Sequence, residues 1–85
     1  MTKIERTKSF LKDFKKCPKK IKEKIIERID LFLTDSKNPL LNIHELSGSL
    51  KGIYSLNVTG DYRIWFMKEK EVFILLRVGT HSDLY

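Results

Sequence analysis

Gly60-Asp61-Tyr62-Arg63-Ile64-Trp65-Phe66 and, one short turn later, Glu71-Val72-Phe73-Ile74-Leu75-Leu76-Arg77-Val78 decide the fold. Both runs are rich in β-branched and aromatic residues and are joined around Glu69-Lys70, so they read as paired antiparallel strands. Ile53 to Val58 supplies a third strand, turned back at Thr59-Gly60, and the result is a meander. Period two puts Tyr62, Ile64 and Phe66 on one side of the middle strand, facing the helices, and Asp61, Arg63, Trp65 and Met67 on the other. In the last strand Val72, Ile74, Leu76 and Val78 form the apolar side. That leaves Phe73, Leu75, Arg77 and, if the extension persists, Gly79 and His81 opposite. Arginine is seldom buried unpaired, so a face shared by Arg63, Arg77 and His81 reads as an uncovered binding surface. An Arg–carboxylate bridge to Asp61 or Glu71 is the competing reading.

Upstream, Thr7 to Asp35 is helical in pattern. Phe10, Leu11 and Phe14 make one stripe; Ile21, Ile25, Ile29, Phe32 and Leu33 make a second, at three- or four-residue spacing. Pro18 stands where the first helix stops and the next begins, which predicts a helical hairpin. Lys3 to Arg6 reads as a short strand. Ser36, Asn38, Pro39, Asn42, Ser47, Gly48, Ser49 and Gly52 are turn formers, so the segment after Asp35 is expected to be a loop, and it holds His44. The expected fold is α+β: a single domain over residues 1–85 with the hairpin on one face of a small, mainly antiparallel sheet of three to four strands.

The chain has 85 residues, enough for one modest core. Seventeen Lys and Arg against eleven Asp and Glu give a formal charge of +6, which attracts nucleic acid or an acidic partner without distinguishing them. Eight lysines lie between Lys8 and Lys24. Of these, Lys8, Lys12, Lys15, Lys16, Lys19 and Lys20 form a basic shoulder able to grip nucleic-acid phosphates, beside the plainer reading of a solvated helix face. A lone Cys17 excludes an intrachain disulfide, the charged amino terminus lacks the apolar run of a signal peptide, and no stretch is long enough to span a bilayer. A cytoplasmic protein without membrane contact is expected. Two histidines and one cysteine give no zinc-site spacing, so neither metal nor other cofactor is expected. A strand aromatic more often packs than stacks on a nucleobase, and Trp65 is left out of the site on that ground.

Several motifs together resemble a known family. They are the helical hairpin, His44-Glu45-Leu46 before Gly48 and Leu50-Lys51-Gly52, Gly60-Asp61-Tyr62-Arg63, and Arg77-Val78-Gly79-Thr80-His81-Ser82-Asp83-Leu84-Tyr85. The resemblance is to the RelE/ParE superfamily of toxins from bacterial toxin–antitoxin pairs, particularly the RelE and YafQ-like ribosome-dependent mRNA endonucleases, and it spans nearly the whole chain. It implies a type II toxin that enters the ribosomal A site, cuts mRNA there and inhibits translation, with a cognate antitoxin holding it inactive in a hetero-oligomer. By that resemblance His44 falls on a loop position that is His in YafQ-like members and a carboxylate in others. Arg63 falls on the strand arginine, His81 on the carboxy-terminal basic or His position, and Tyr85 on the terminal aromatic. Asp61 and Tyr62 match an Asp-aromatic pair and, with Arg77, are assigned to substrate binding. Asn57 departs from the pattern, since relatives can carry another histidine there.

The implied reaction is attack by an RNA 2′-hydroxyl on the adjacent phosphorus, giving a 2′,3′-cyclic phosphate and a free 5′-hydroxyl. It requires a base, an acid and a cation for the phosphorane, and no metal. His44 is assigned as base, His81 as acid and Arg63 as clamp, with the order of base and acid open; imidazole titrates near pKa ~6.5, which suits either. Tyr85 stacks on a base or orients the phosphate. Two other readings use the same fold: a ParE-like inhibitor of DNA gyrase, and a degenerate toxin that only binds antitoxin. The acid/base pair favours the nuclease.

Overall fold

The computed structural model describes residues 3–85. β1 (Lys3–Arg6) leads into α1 (Lys8–Lys16) and α2 (Lys19–Thr34). Then follow β2 (His44–Glu45), β3 (Tyr54–Asn57), β4 (Tyr62–Glu69), β5 (Val72–Thr80) and a terminal helical turn, α3 (His81–Leu84). The boundaries have local causes. The Thr7 hydroxyl accepts the Phe10 N–H, which caps α1, and lies 2.9 Å from the Leu75 carbonyl, to which it donates; the same side chain therefore starts the helix and ties it to β5. Pro18 is extended and forms the N-cap of α2, separating the two helices as its missing N–H requires. Lys70 takes a left-handed φ of 55° in the two-residue turn between β4 and β5.

The sheet order is β1-β5-β4-β3-β2, with β1 parallel to β5 and every other pair antiparallel. Both helices cover one face. Phe10 from α1 and Ile25, Ile29 and Phe32 from α2 meet Leu56, Ile64, Phe66, Leu75 and Val78 of the sheet. Phe32 joins an aromatic cluster, 5.1 Å from Phe66 and 4.6 Å from Phe73 between ring centroids. Leu11 and Leu33, expected on the buried stripes, are instead exposed. No described helix is long and apolar enough to cross a membrane.

The α+β class and the hairpin-on-sheet arrangement are as expected. The sheet has five strands rather than three or four, because the weak Lys3–Arg6 strand forms and the segment holding His44 is an edge strand rather than a loop. Two or four residues are too few for alternation to show; pairing with a longer neighbour makes them strands. The face assignment of β5 is corrected along its first half. Trp65 pairs with Arg77 but Phe66 with Leu75, so the register slips by one residue at Leu76. This bulge reverses the phase. Phe73 and Leu75 face the helices together with Val78, while Val72, Ile74 and Leu76 do not belong to the core.

Candidate functional site

Cross-strand partners share a face, so the pairing itself defines the surface opposite the helices. His44 pairs with Ser55, Ser55 with Trp65 and Trp65 with Arg77, which makes one row across β2, β3, β4 and β5. The next row is Asn57, Arg63 and Gly79. Neighbouring strands stand about 4.8 Å apart and successive rows about 7 Å, so both rows fall within the span of one or two nucleotides.

His44 is exposed at the edge of this surface. Its Nδ1 lies 3.1 Å from the Asn42 carbonyl oxygen, presented by a residue with a left-handed φ of 44°. A carbonyl only accepts, so Nδ1 is the nitrogen that carries a proton in this bond, and Nε2 is the one that points away from it. Next to it, Glu45 accepts the Gly52 N–H at 2.9 Å and holds the following loop against β2.

The other end of the surface is capped by α3. At Gly79 an added Cβ would stand 3.1 Å from Cβ of Asp83, so the absent side chain is what lets the helical turn lie on β5. Thr80 and Asp83 form a capping box: the Thr80 hydroxyl accepts the Asp83 N–H and Asp83 accepts the Thr80 N–H. Those bonds, first that from the Thr80 backbone, hold the Asp83 carboxyl below its ordinary value. His81 therefore opens a helix and does not extend the strand. Its ring stacks on Tyr85 at 4.3 Å, and Tyr85 in turn packs edge-on against Trp65 at 5.0 Å.

Four polar atoms of this surface stand without partners. Ser55 Oγ, Asn57 Oδ1, Arg63 Nε and Trp65 Nε1 are buried without a hydrogen-bond partner, and all four belong to the two rows just described. Buried polar atoms are usually paired, so four orphans on one face stand out from the rest of the described residues.

The expected site residues divide accordingly. His44, Arg63, His81 and Tyr85 share the surface opposite the helices. Arg77 starts on it, but its guanidinium turns to α1 and bridges Asp13, Nε to Oδ2 at 2.6 Å and Nη2 to Oδ1 at 3.3 Å. The expectation that Arg63, Arg77 and His81 share the uncovered face fails for Arg77, and its carboxylate is neither Asp61 nor Glu71. Asp13 also accepts the Val78 N–H at 3.1 Å, beyond the point where β1 stops pairing with β5. The bond to Asp13 raises the Arg77 pKa further. Tyr62 lies on the helix side, partly buried against the core, and Asp61 is exposed in the β3–β4 turn, its N–H donating to Thr59 Oγ1 at 3.2 Å. These three do not meet at His44.

The six lysines of the basic shoulder are all exposed. Lys12 and Lys16 line a shallow depression with Ser9, Asp13 and Arg77, so the shoulder runs up to the edge of β5. Trp65, Ser55 and Asn57 belong to the surface although sequence reading gave them no role in the site. Only the two rows they form with His44 and Arg63 identify them, and those rows depend on strand register. Among the described residues no three His, Cys, Asp or Glu side chains cluster as metal ligands. Burial, and second the nearby Asp13, push the Cys17 thiol pKa up.

Comparison with protein families matches residues 2–85 to the bacterial toxin of type II toxin–antitoxin systems, YafQ. Comparison with curated sequences returns no match. Among solved structures, YafQ from E. coli strain BL21(DE3) superposes with a TM-score of 0.85 at 24% identity, covering 100% of this chain and 99% of that one. The YafQ chain of the E. coli DinJ–YafQ toxin–antitoxin complex gives 0.82 at 25% identity over 99% of this chain and 97% of the other. A copper-bound mutant toxin from Helicobacter pylori gives 0.77 at 26% identity, covering 100% of both.

Proposed function

Because the chain belongs to the YafQ family of bacterial toxins of type II toxin–antitoxin systems, we propose that it is a ribosome-dependent endoribonuclease that cuts mRNA in the A site without a metal. The observation that supports this most is His44. Its Nδ1 faces the Asn42 carbonyl, which leaves Nε2 to accept a proton, and it stands in one row with two of the orphaned groups, Ser55 and Trp65, and beside the row of the other two, Asn57 and Arg63.

In this reading Nε2 of His44 takes the proton of the 2′-hydroxyl and the 2′-oxygen bonds to phosphorus. The bond from phosphorus to the 5′-oxygen breaks, and the leaving oxygen receives a proton from His81. Arg63 balances the charge of the phosphorane. Tyr85, already stacked on His81, orients the acid. Arg77, held by Asp13 through Nε and Nη2, keeps Nη1 for a substrate phosphate. Asp61 and Tyr62, away from this surface, contact flanking mRNA or ribosomal RNA. A cognate antitoxin is the cellular partner, as DinJ is for the E. coli relative, and acidic residues in it would complement the lysine shoulder.

Primer extension on a defined mRNA, with and without programmed ribosomes and in the presence of EDTA, tests the proposal. Cuts within A-site codons that need ribosomes and slow by roughly 10²–10⁴-fold in His44→Ala or His81→Ala are expected. A 2′-deoxy nucleotide at the cleaved position should stay intact; cleavage there overturns the mechanism. Absence of cuts, with loss of supercoiling by gyrase instead, would move the chain to the gyrase-inhibitor reading.

A further inference from the structure

Trp65 is 7% exposed yet is absent from the hydrophobic core, because it lies on the sheet face that no long helix covers. Its indole N–H has no acceptor. Ser55, paired beside it, is fully buried with an unpartnered hydroxyl. A buried polar atom left without a partner is destabilising, and here four occur together on a surface that otherwise carries the proposed chemistry. Such a cluster is understandable if another molecule supplies the missing bonds.

The donor and acceptor pattern restricts that molecule. Arg63 Nε–H and Trp65 Nε1–H require acceptors, Asn57 Oδ1 requires a donor, and the Ser55 hydroxyl takes either. A phosphodiester offers only acceptors. The edge of a nucleobase offers both. One row, about 7 Å, separates Arg63 from Trp65, comparable to the reach from a phosphate to the base of its own nucleotide.

We propose that Trp65, with Ser55 and Asn57, forms a base-reading floor that hydrogen-bonds the nucleobase next to the bond cut, making Trp65 a specificity-determining residue. The proposal rests on the nuclease reading and deepens it. Access runs past Tyr85, which packs edge-on against the indole and is 56% exposed. Its ring leaves Trp65 and stacks on the incoming base, so the floor opens only when a nucleotide replaces that contact.

The test compares single-turnover cleavage on ribosomes programmed with A-site codons that differ in one base. Trp65→Phe and Ser55→Ala are expected to flatten the preference, lowering the ratio of best to worst codon by about tenfold or more. Ser55→Ala should do so with its melting temperature equal or higher, since an orphan is removed. A purely packing role would slow all codons together and leave the ratio unchanged, which overturns the proposal. Trp65 is the chain's one tryptophan, so its side-chain N–H gives a single NMR resonance, to be followed as a 2′-O-methyl trinucleotide is added. Movement of that resonance supports the floor; a fixed resonance while the Arg63 and Gly79 amides move overturns it. If the native protein cuts nothing on ribosomes, the nuclease reading fails separately, and the resonance alone decides whether RNA occupies the floor.

Discussion

The Asp13 carboxylate receives three hydrogen bonds, two from the Arg77 guanidinium and one from the Val78 N–H. It closes the edge of β5 that β1 leaves open, and it fixes the direction of an arginine proposed to touch substrate. Asp13→Asn keeps the shape but loses the charge and one acceptor. The expected cost is about 1–3 kcal/mol in urea unfolding, toward the lower end because Arg77 is partly solvated. Arg77→Ala should unfold more easily too and, in addition, raise the ribosome concentration needed for half-maximal cleavage. If Arg77→Ala changes stability alone, the arginine is a structural clasp. The bridge was not legible in the sequence, where Asp13 and Arg77 are 64 positions apart and nothing in either neighbourhood names the other.

At the scale of elements, α3 is the weakest part of the site. It has four residues, held by the Thr80–Asp83 capping box and by close packing over Gly79. Thr80→Ala removes one of the reciprocal bonds and should fray the turn. The expected readout is greater exposure of Trp65, seen as a red shift of its emission and easier quenching, with little change in overall stability; unaltered emission would mean that packing on Gly79 suffices. Acid should act similarly. The folded Asp83 carboxyl lies below its ordinary value of 3.8, so its contribution is present above that pH and is lost as pH falls through the lower folded value. Trp65 emission should therefore shift in acid before global unfolding, and the shift should be absent in Asp83→Asn. The long elements, α2 and β4, were readable from periodicity. The two-residue β2 and the bulge at Leu76 were not, because each depends on what a neighbouring strand offers and not on the local run of residues.

For the molecule as a whole, charge is the property that the fold organises. The six lysines from Lys8 to Lys20 are exposed, and none has an ion-pair partner among the described residues. Replacing Lys12, Lys15 and Lys16 with Glu removes the whole +6 surplus. Ribosome association is expected to weaken and to lose much of its salt dependence, while the helix face, already solvated, remains folded. Binding unchanged at every salt concentration would reduce the run to solvation. Composition, periodicity and turn chemistry determined by themselves that this chain is small, basic and α+β, with a helical hairpin beside a meander; the resemblance of its motifs to a toxin family is what singled out His44, Arg63, His81 and Tyr85. Those properties are local or additive, so they can be read along the chain. Only the tertiary structure decided that Arg77 is clasped by Asp13, that Phe73 and Leu75 face inward, and that Ser55, Asn57 and Trp65 join His44 and Arg63 on one surface. Each of these follows from strand register and from contacts between distant segments, which the burial of a shared core selects and no single stretch of sequence contains.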